Sequence, residues 1–397
     1  MKVLMVTTYE YPHIGGLSTH MSLIKKGFSK NGHEVEVVSL SNVNKIVRLL
    51  LCSVPCKILN IFNKDIGTLW YNTMNQVLLT IIIYLKFLFG DKYEIINCQD
   101  VLSGNIALKI QKIFKVKVIF TVHGYFVRQS ISNEVLSSNS FVTRIYMNVE
   151  KKVYSKVNAL ISVDNRIKEY IIDCIETSTK KITVLKNFID LEAFSIDQNN
   201  KATYREKWNI PKDKFVLLCP RRLVPKNGVL YPLLSITKIK KIDNILLVYA
   251  GDGQERVKME ALIEEHNLHD KVLMLGDVEH QSIGELYSLC DLVIVPSVNS
   301  EGVEEATSIS AIEGMACGKV VIASEIGGLK ELITHKQNGL LVREKDLDDL
   351  AQKIISVYSN EEIKSVLEKN ARKTVEEQLS LEQRIKDYIK IFKGVLN

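Results

Sequence analysis

Short apolar runs alternate with amphipathic stretches along most of the chain. The first run, Val3 to Thr7, reads as a buried strand; it leads into a loop with Pro12 and Gly15-Gly16 and then a helical pattern from Ser18 to Lys30, stopped by Asn31-Gly32. A second strand, Glu34 to Leu40, completes a βαβ unit. The theme repeats at Ile95-Ile96-Asn97, Val116 to Val122, Ala159 to Val163 and Ile182 to Leu185, each beside a helical stretch. Strands alternating with helices imply a parallel sheet, doubly wound and covered on both faces.

After Phe194 the pattern breaks at a polar stretch, Ser195 to Thr203, that includes Asp197-Gln198-Asn199-Asn200-Lys201 and reads as a linker. A second alternating series follows, with strands expected at Phe215 to Cys219, Ile245 to Ala250, Val272 to Leu275, Leu292 to Val295 and Val320 to Ala323. From Glu361 to Val395 the chain is charged and helical in pattern, suited to a terminal helix that packs back. The prediction is two Rossmann-like domains, residues 1–194 and 203–375, with 376–397 as a terminal helix returning to the first. Their sheets' carboxyl ends would face a shared central cleft, where loops bind ligands.

One region departs from the alternation. Val77 to Phe89 is thirteen residues of nearly unbroken apolar character with Lys86 inside it, short of the roughly 20 needed to span a bilayer. With Ile46 to Ile61, which sets Arg48 and Lys57 among leucines and isoleucines, it reads as core-facing helices, or else as helices lying on a membrane surface. The opening Met1 to Val6 is too short an apolar run for a signal peptide. A formal charge of +6, scattered along the chain, gives no basis for nucleic acid as a partner. The seven cysteines form no Cys-x-x-Cys pair, which speaks against a disulfide framework or zinc cluster and fits a reducing cytoplasm.

Chemistry concentrates in Glu301 to Gly318, where Glu305 and Glu313 lie eight residues apart around a strand-to-helix junction. A helix beginning near Thr307 or Ser308 puts Ile309, Ile312 and Met315 on one apolar face, with Gly318 as its stop. The amides of its first turn, near Ser308 and Ile309, make an anion site suited to a diphosphate. The lone Asp-x-Asp, Asp346-Leu347-Asp348, reads as a helix cap and first-turn acid, and nothing in the pattern calls for a metal or other cofactor.

This stretch, with Val320 to Ser324 and Gly327-Gly328 behind it, resembles the Glu-x7-Glu motif of family 4 glycosyltransferases, which have the GT-B fold. The resemblance implies that Glu305 contacts the donor sugar and Glu313 the nucleotide ribose. It extends to Gly15-Gly16, similar to the family's N-terminal loop at the donor phosphate, and to Phe120-Thr121-Val122-His123-Gly124, which places His123 near the reacting sugar. Leu185 to Asp190 resembles the segment that closes the first domain. Pro220 to Val229 looks like the loop whose Arg and Lys hold the diphosphate: Arg222 matches the Arg, Asn227 stands at the Lys position, and Lys226 is one residue earlier. Gly251 and the Gly276-Asp277-Val278 turn match the family's glycine turns, Val278 lying near the base.

The implied activity is retaining transfer of a hexose-type sugar from a nucleotide-diphosphate sugar, a substrate rather than a cofactor, to a glycan or lipid-linked acceptor. Cell-surface polysaccharide or glycolipid assembly follows, in the cytoplasm or at the inner membrane face, with peripheral membrane contact through the 46–89 region. Three departures from the pattern bear on donor choice: Ser308 for a common Gly, Phe188 for the Gly of an Asn-Gly turn, and Gln99-Asp100 for a His-Asp. An inactive nucleotide-sugar-binding partner of another transferase and a nucleotide-sugar epimerase are the alternatives.

Overall fold

A computed structural model describes residues 1–13, 15–90, 92–175, 182–195, 200–279, 282–300 and 302–397. The chain forms two compact units, Met1–Lys186 with Arg384–Asn397, and Asn187–Gln383. Among the described residues each unit carries a six-stranded sheet with every pairing parallel.

In the first unit the strands are β1 (Lys2–Val6), β2 (Glu34–Val38), β3 (Ile95–Cys98), β4 (Lys117–Val122), β5 (Ala159–Ser162) and β6 (Ile182–Val184), in the order β2-β1-β3-β4-β5-β6. The second unit has β7 (Phe215–Cys219), β8 (Ile245–Tyr249), β9 (Val272–Met274), β10 (Leu292–Val295), β11 (Val320–Ser324) and β12 (Leu340–Val342), in the order β12-β11-β10-β7-β8-β9. The chain direction across the sheet reverses between β1 and β3 in one unit and between β7 and β10 in the other. Such reversal points open a crevice at the strands' carboxyl ends, and this fixes where chemistry can sit.

Two-sided burial explains why these strands read as unbroken apolar runs. Successive strand residues point to opposite faces, so Val216, Leu218, Val248, Val293 and Val295 join one core while Leu217, Cys219, Leu247, Leu292 and Ile294 join the other. Helix starts are set locally. Asp100 caps helix Val101–Phe114 by accepting from Ser103 N–H, and Ser103 Oγ reciprocates on the Asp100 backbone. Asp346 caps Leu347–Tyr358 by accepting from Asp349 N–H.

The structure differs from the sequence reading in four places. The units divide after Lys186 rather than after residue 194, because Ile189 N–H donates to Leu379 O and Leu381 N–H to Ile189 O, stitching the 187–194 segment to the second unit. Residues 196–199 of the expected linker lie outside the described residues, and Lys201–Thr203 already belong to helix Lys201–Lys207. The terminal helix is two, Glu361–Gln378 and Leu381–Leu396, broken where Leu379 and Ser380 turn aside to meet Ile189. From Arg384 on the chain rejoins the first unit, where Phe392 packs edge-on against Phe28 at 5.0 Å and Tyr388 against His20.

The fourth difference is the apolar region. The helix there runs from Lys64 to Phe89, 26 residues rather than thirteen, and by length and composition it is apolar enough to cross a membrane. It is no core helix, since only 22% of its most apolar window is buried.

Phe392 is fully buried, so Phe392→Ala should destabilise the first unit by about 3 to 5 kcal/mol. The exposed Val366→Ala should move stability by less than about 0.5 kcal/mol. Urea unfolding monitored by circular dichroism checks both.

Candidate active site

In the second unit the crevice lies between the loop after β7 and the loop after β10, and one side chain joins them. Arg221, two residues beyond β7, is buried, and its guanidinium makes five hydrogen bonds. Nη1 donates to Glu305 Oε1 (3.1 Å) and Ser308 Oγ (3.0 Å); Nη2 donates to Glu305 Oε2 (2.9 Å), Asn227 Oδ1 (2.8 Å) and Ser297 Oγ (3.0 Å). The Arg221–Glu305 contact is a fork on a carboxylate, the geometry that distinguishes arginine from lysine.

Burial by itself raises the Glu305 carboxyl. The Arg221 charge and its hydrogen bonds, the Lys226 charge and the Ser297 hydroxyl outweigh it and hold Glu305 below the usual carboxylate range. Lys226 is lowered, first by burial and then by Arg222 and Arg221, against the pull of Glu305. The result is an ionised carboxylate with surplus positive charge beside it.

Two glycines let the backbones approach this closely. Gly327 adopts φ +51, and a Cβ there would lie 2.1 Å from Glu305 O; its N–H donates to Glu304 Oε2 (2.8 Å), and Gly328 N–H to Glu305 O (2.8 Å). Gly251, at φ +142, lies under Arg221, whose carbonyl oxygen would be 2.3 Å from a Cβ. Each glycine therefore shapes the backbone of one partner of the ion pair.

Helix Ile309–Ala316 starts with Ser308 at its N-cap, whose hydroxyl accepts from Arg221 and makes no capping bond. The first-turn amides are thus left for other acceptors. Asn187 Nδ2 donates to Thr307 O (2.7 Å) on the approach to this turn, so the Leu185–Asp190 segment is divided: Leu185 and Lys186 end the first unit, and Asn187 onward serves the second. Glu313 lies deeper in the same helix and apart from the Arg221 cluster. Tyr287 Oη donates to its Oε2 at 2.7 Å, and burial pushes its pKa to about 7 against that hydrogen bond. Val278 is half-buried against the core beyond β9.

The motif reading passed over Arg221 in favour of Arg222. The Arg222 side chain is exposed and makes no hydrogen bond or ion pair among the described residues, while its backbone oxygen accepts from Asn227 Nδ2 and Val224 N–H. The available signal was register: Arg221 follows Cys219 and Pro220 at the mouth of a fully buried strand, where a guanidinium needs several acceptors at once.

In the first unit Gly15 and Gly16 open helix Gly16–Lys30, and Gly15 takes φ +147. His123 lies just past β4, and its Nε2 is 2.9 Å from Gln99 Oε1. Gln99 Nε2 donates to Asn97 Oδ1, and Asn97 Nδ2 donates to Ile119 O and Thr121 Oγ1 (both 3.3 Å), so Gln99 can only accept from the ring. Burial first, then the neighbouring His20, lowers the His123 pKa well below its ordinary value. The ring is neutral, with its proton on Nε2. His20 stands edge-on to it at 4.7 Å. Thus Gln99, noted above only as a departure from a family pattern, is the residue that sets the His123 tautomer. Among the described residues no cluster of three or more His, Cys, Asp or Glu side chains has the arrangement of a metal site.

Comparison with known proteins gives this arrangement a family. Residues 14–193 match the family described as Glycosyltransferase Family 4, and residues 200–374 match Glycosyl transferases group 1. A glycosyltransferase of Methanocaldococcus jannaschii is 27% identical, over 99% of this chain and 98% of its own. The gpi3 subunit of the Schizosaccharomyces pombe phosphatidylinositol N-acetylglucosaminyltransferase is 23% identical, over 91% of this chain and 74% of its own. The HepE protein of Anabaena, solved in complex with UDP, superposes with a TM-score of 0.75 at 16% identity, covering 99% of this chain and 100% of that one. The fold is that of GT-B transferases. The chain belongs to the family 4 glycosyltransferases.

Two pH experiments test the site. Without Arg221, burial dominates at Glu305 and its carboxyl rises, so Arg221→Gln should move the acid limb of donor turnover to higher pH and lower kcat/KM by about 10². Arg222→Gln should leave that limb in place. For Glu313 the sign is opposite. The folded protein keeps this proton to about pH 7 while a free carboxyl releases it near 4.5, so stability falls as pH rises between those values, by about 3 kcal/mol in all. Glu313→Gln should remove this loss, matching wild type in acid and exceeding it above about pH 7 in thermal melts.

Proposed function

We propose that the chain transfers a hexose-type sugar from a nucleotide-diphosphate sugar to a glycan or lipid-linked acceptor with retention of anomeric configuration and without a metal. The observation that carries this reading is the Arg221–Glu305–Ser308 cluster at the start of helix Ile309–Ala316, beside the reversal of strand order. Breaking the bond from the anomeric carbon to the diphosphate leaves the electron pair on phosphate oxygen and positive charge on the sugar ring. The amides near Ser308 and Ile309, with Lys226 and the exposed Arg222, would receive the diphosphate, and this electrostatic term is usually the largest in such a site. The ionised Glu305 would meet the sugar's hydroxyls and its developing charge. Glu313 would accept from the ribose through the oxygen that Tyr287 leaves open. His123, with its Nε2–H held by Gln99, would offer Nδ1 as an acceptor to orient the sugar. The acceptor oxygen then bonds to the anomeric carbon on the face the phosphate leaves, and its proton passes to the departing phosphate.

A UDP-bound structural neighbour and a relative named for transfer to phosphatidylinositol support a nucleotide donor and a lipid-linked acceptor respectively. Work at the inner face of a membrane, in surface polysaccharide or glycolipid assembly, is the setting this reading implies.

The test supplies the purified protein with UDP-, GDP- and ADP-sugars, with and without EDTA and a membrane extract, and measures released nucleotide. Turnover of one donor, unaffected by EDTA and reduced about 10² to 10³ by Lys226→Ala, is expected. Donor binding with no turnover under any condition would favour an inactive binding partner, for which Asn227 at the Lys position is the motivating feature.

A further inference from the structure

We infer that the helical segment between β2 and β3 seats the first unit on the surface of an anionic bilayer. Seventeen of its large apolar side chains are exposed, among them Ile46 (67%), Ile61 (79%), Phe62 (83%) and Phe89 (84%). On helix Lys64–Phe89 the exposed positions Ile66, Trp70, Val77, Ile81, Tyr84 and Leu88 recur at helical spacing and form one stripe. Helix Val54–Phe62 packs along this helix and presents Val54, Ile58, Ile61 and Phe62, so the two expose apolar surface together. A soluble surface scatters such residues singly; a contiguous set of this size marks an interaction face.

Charge identifies the occupant. Residues 41–90 contain five Lys and Arg and a single acid, Asp65. Asp65 is buried and accepts from the N–H and hydroxyl of Ser137, so the segment exposes no carboxylate. Two carboxylates outside the segment are paired by its cations, Glu10 by Arg48 and Glu36 by Lys86. Among the described residues Lys57 and Lys64 form no ion pair, and Lys45 shares Glu10 with Arg48, which leaves the apolar stripe with surplus positive charge beside it. Apolar surface bordered by cations and free of exposed acid suits anionic headgroups above hydrocarbon.

The long helix lies on the membrane rather than crossing it, because its opposite face is committed. Asn72 Nδ2 donates to Tyr146 Oη and Asn105 Nδ2 donates to Gln76 Oε1 (both 2.9 Å), and Asn75 is buried. Insertion would strip these polar groups of partners within hydrocarbon. The seat also reaches the active-site loop after β1. Arg48 pairs with Glu10, and Tyr11 N–H donates to Ser41 Oγ (3.0 Å), so a seated segment holds the loop that carries Gly15 at headgroup level, where a lipid-linked acceptor presents its polar end. Seating requires no transfer chemistry and is tested without donor.

Trp70 is a built-in reporter, because the chain has only two tryptophans. In full-length Trp208→Phe protein, mixing with phosphatidylglycerol-containing vesicles should shift Trp70 emission to the blue and expose it to quenching by brominated lipid, with a much smaller effect from phosphatidylcholine alone. Lys45→Gln and Lys57→Gln should each weaken co-sedimentation about fivefold. Ile61→Glu with Phe62→Glu should lower it at least tenfold while leaving UDP binding and circular dichroism unchanged. Unaltered Trp70 emission and no co-sedimentation with anionic vesicles would overturn the inference. So would a lipid-free dimer in ultracentrifugation whose Trp70 is already blue-shifted, since a second copy would then own the face.

Discussion

The Arg221 guanidinium is buried and the Glu305 carboxylate mostly so, and the layout of the second unit follows from the contacts that pair them. A buried ion pair is costly unless the geometry is good and the remaining donors are met. Here Arg221 reaches Glu305 with both terminal nitrogens, which also find Ser297, Asn227 and Ser308, while its buried Nε alone is left without a protein acceptor among the described residues. These acceptors come from the loop after β7, the loop after β10 and the start of the next helix. One cation therefore ties together the three pieces of chain that meet where the strand order reverses, and Gly251 and Gly327 give their backbones room to meet.

The pair also governs the electrostatics a ligand encounters. Asn227 brings an amide where the family pattern has a lysine, and its oxygen accepts from Arg221. Arg221 carries its positive charge inward, where it holds Glu305 ionised, and Arg222 and Lys226 lie nearer the surface. In the first unit a neutral relay does the corresponding work: Asn97 orients Gln99, and Gln99 orients His123. One unit fixes a charge and the other a tautomer, each by hydrogen bonds that begin inside the sheet.

Much of this was legible in the chain. Strands buried on both faces must be apolar throughout, so their positions and the parallel α/β architecture could be read from the runs, and Glu305, Ser308 and Ile309 emerged from a helix start that local pattern sets. What escaped was decided by contacts distant in sequence. Arg221 and Arg222 are adjacent and chemically identical, and only the pairing of β7 with β10 decides which faces Glu305. The domain division moved because Ile189 bonds to Leu379 and Leu381, nearly two hundred residues away. The 64–89 helix was read too short because Asn72, Asn75 and Gln76 look like breaks in an apolar run, whereas they are its inward face.

A double-mutant cycle on Arg221 and Glu305 tests the central claim most directly. If the two side chains act as one unit, the Arg221→Ala, Glu305→Ala double variant should lose no more kcat/KM for the donor than Glu305→Ala alone, because Arg221 then acts through the carboxylate. Losses that simply add would show two independent residues and contradict the account.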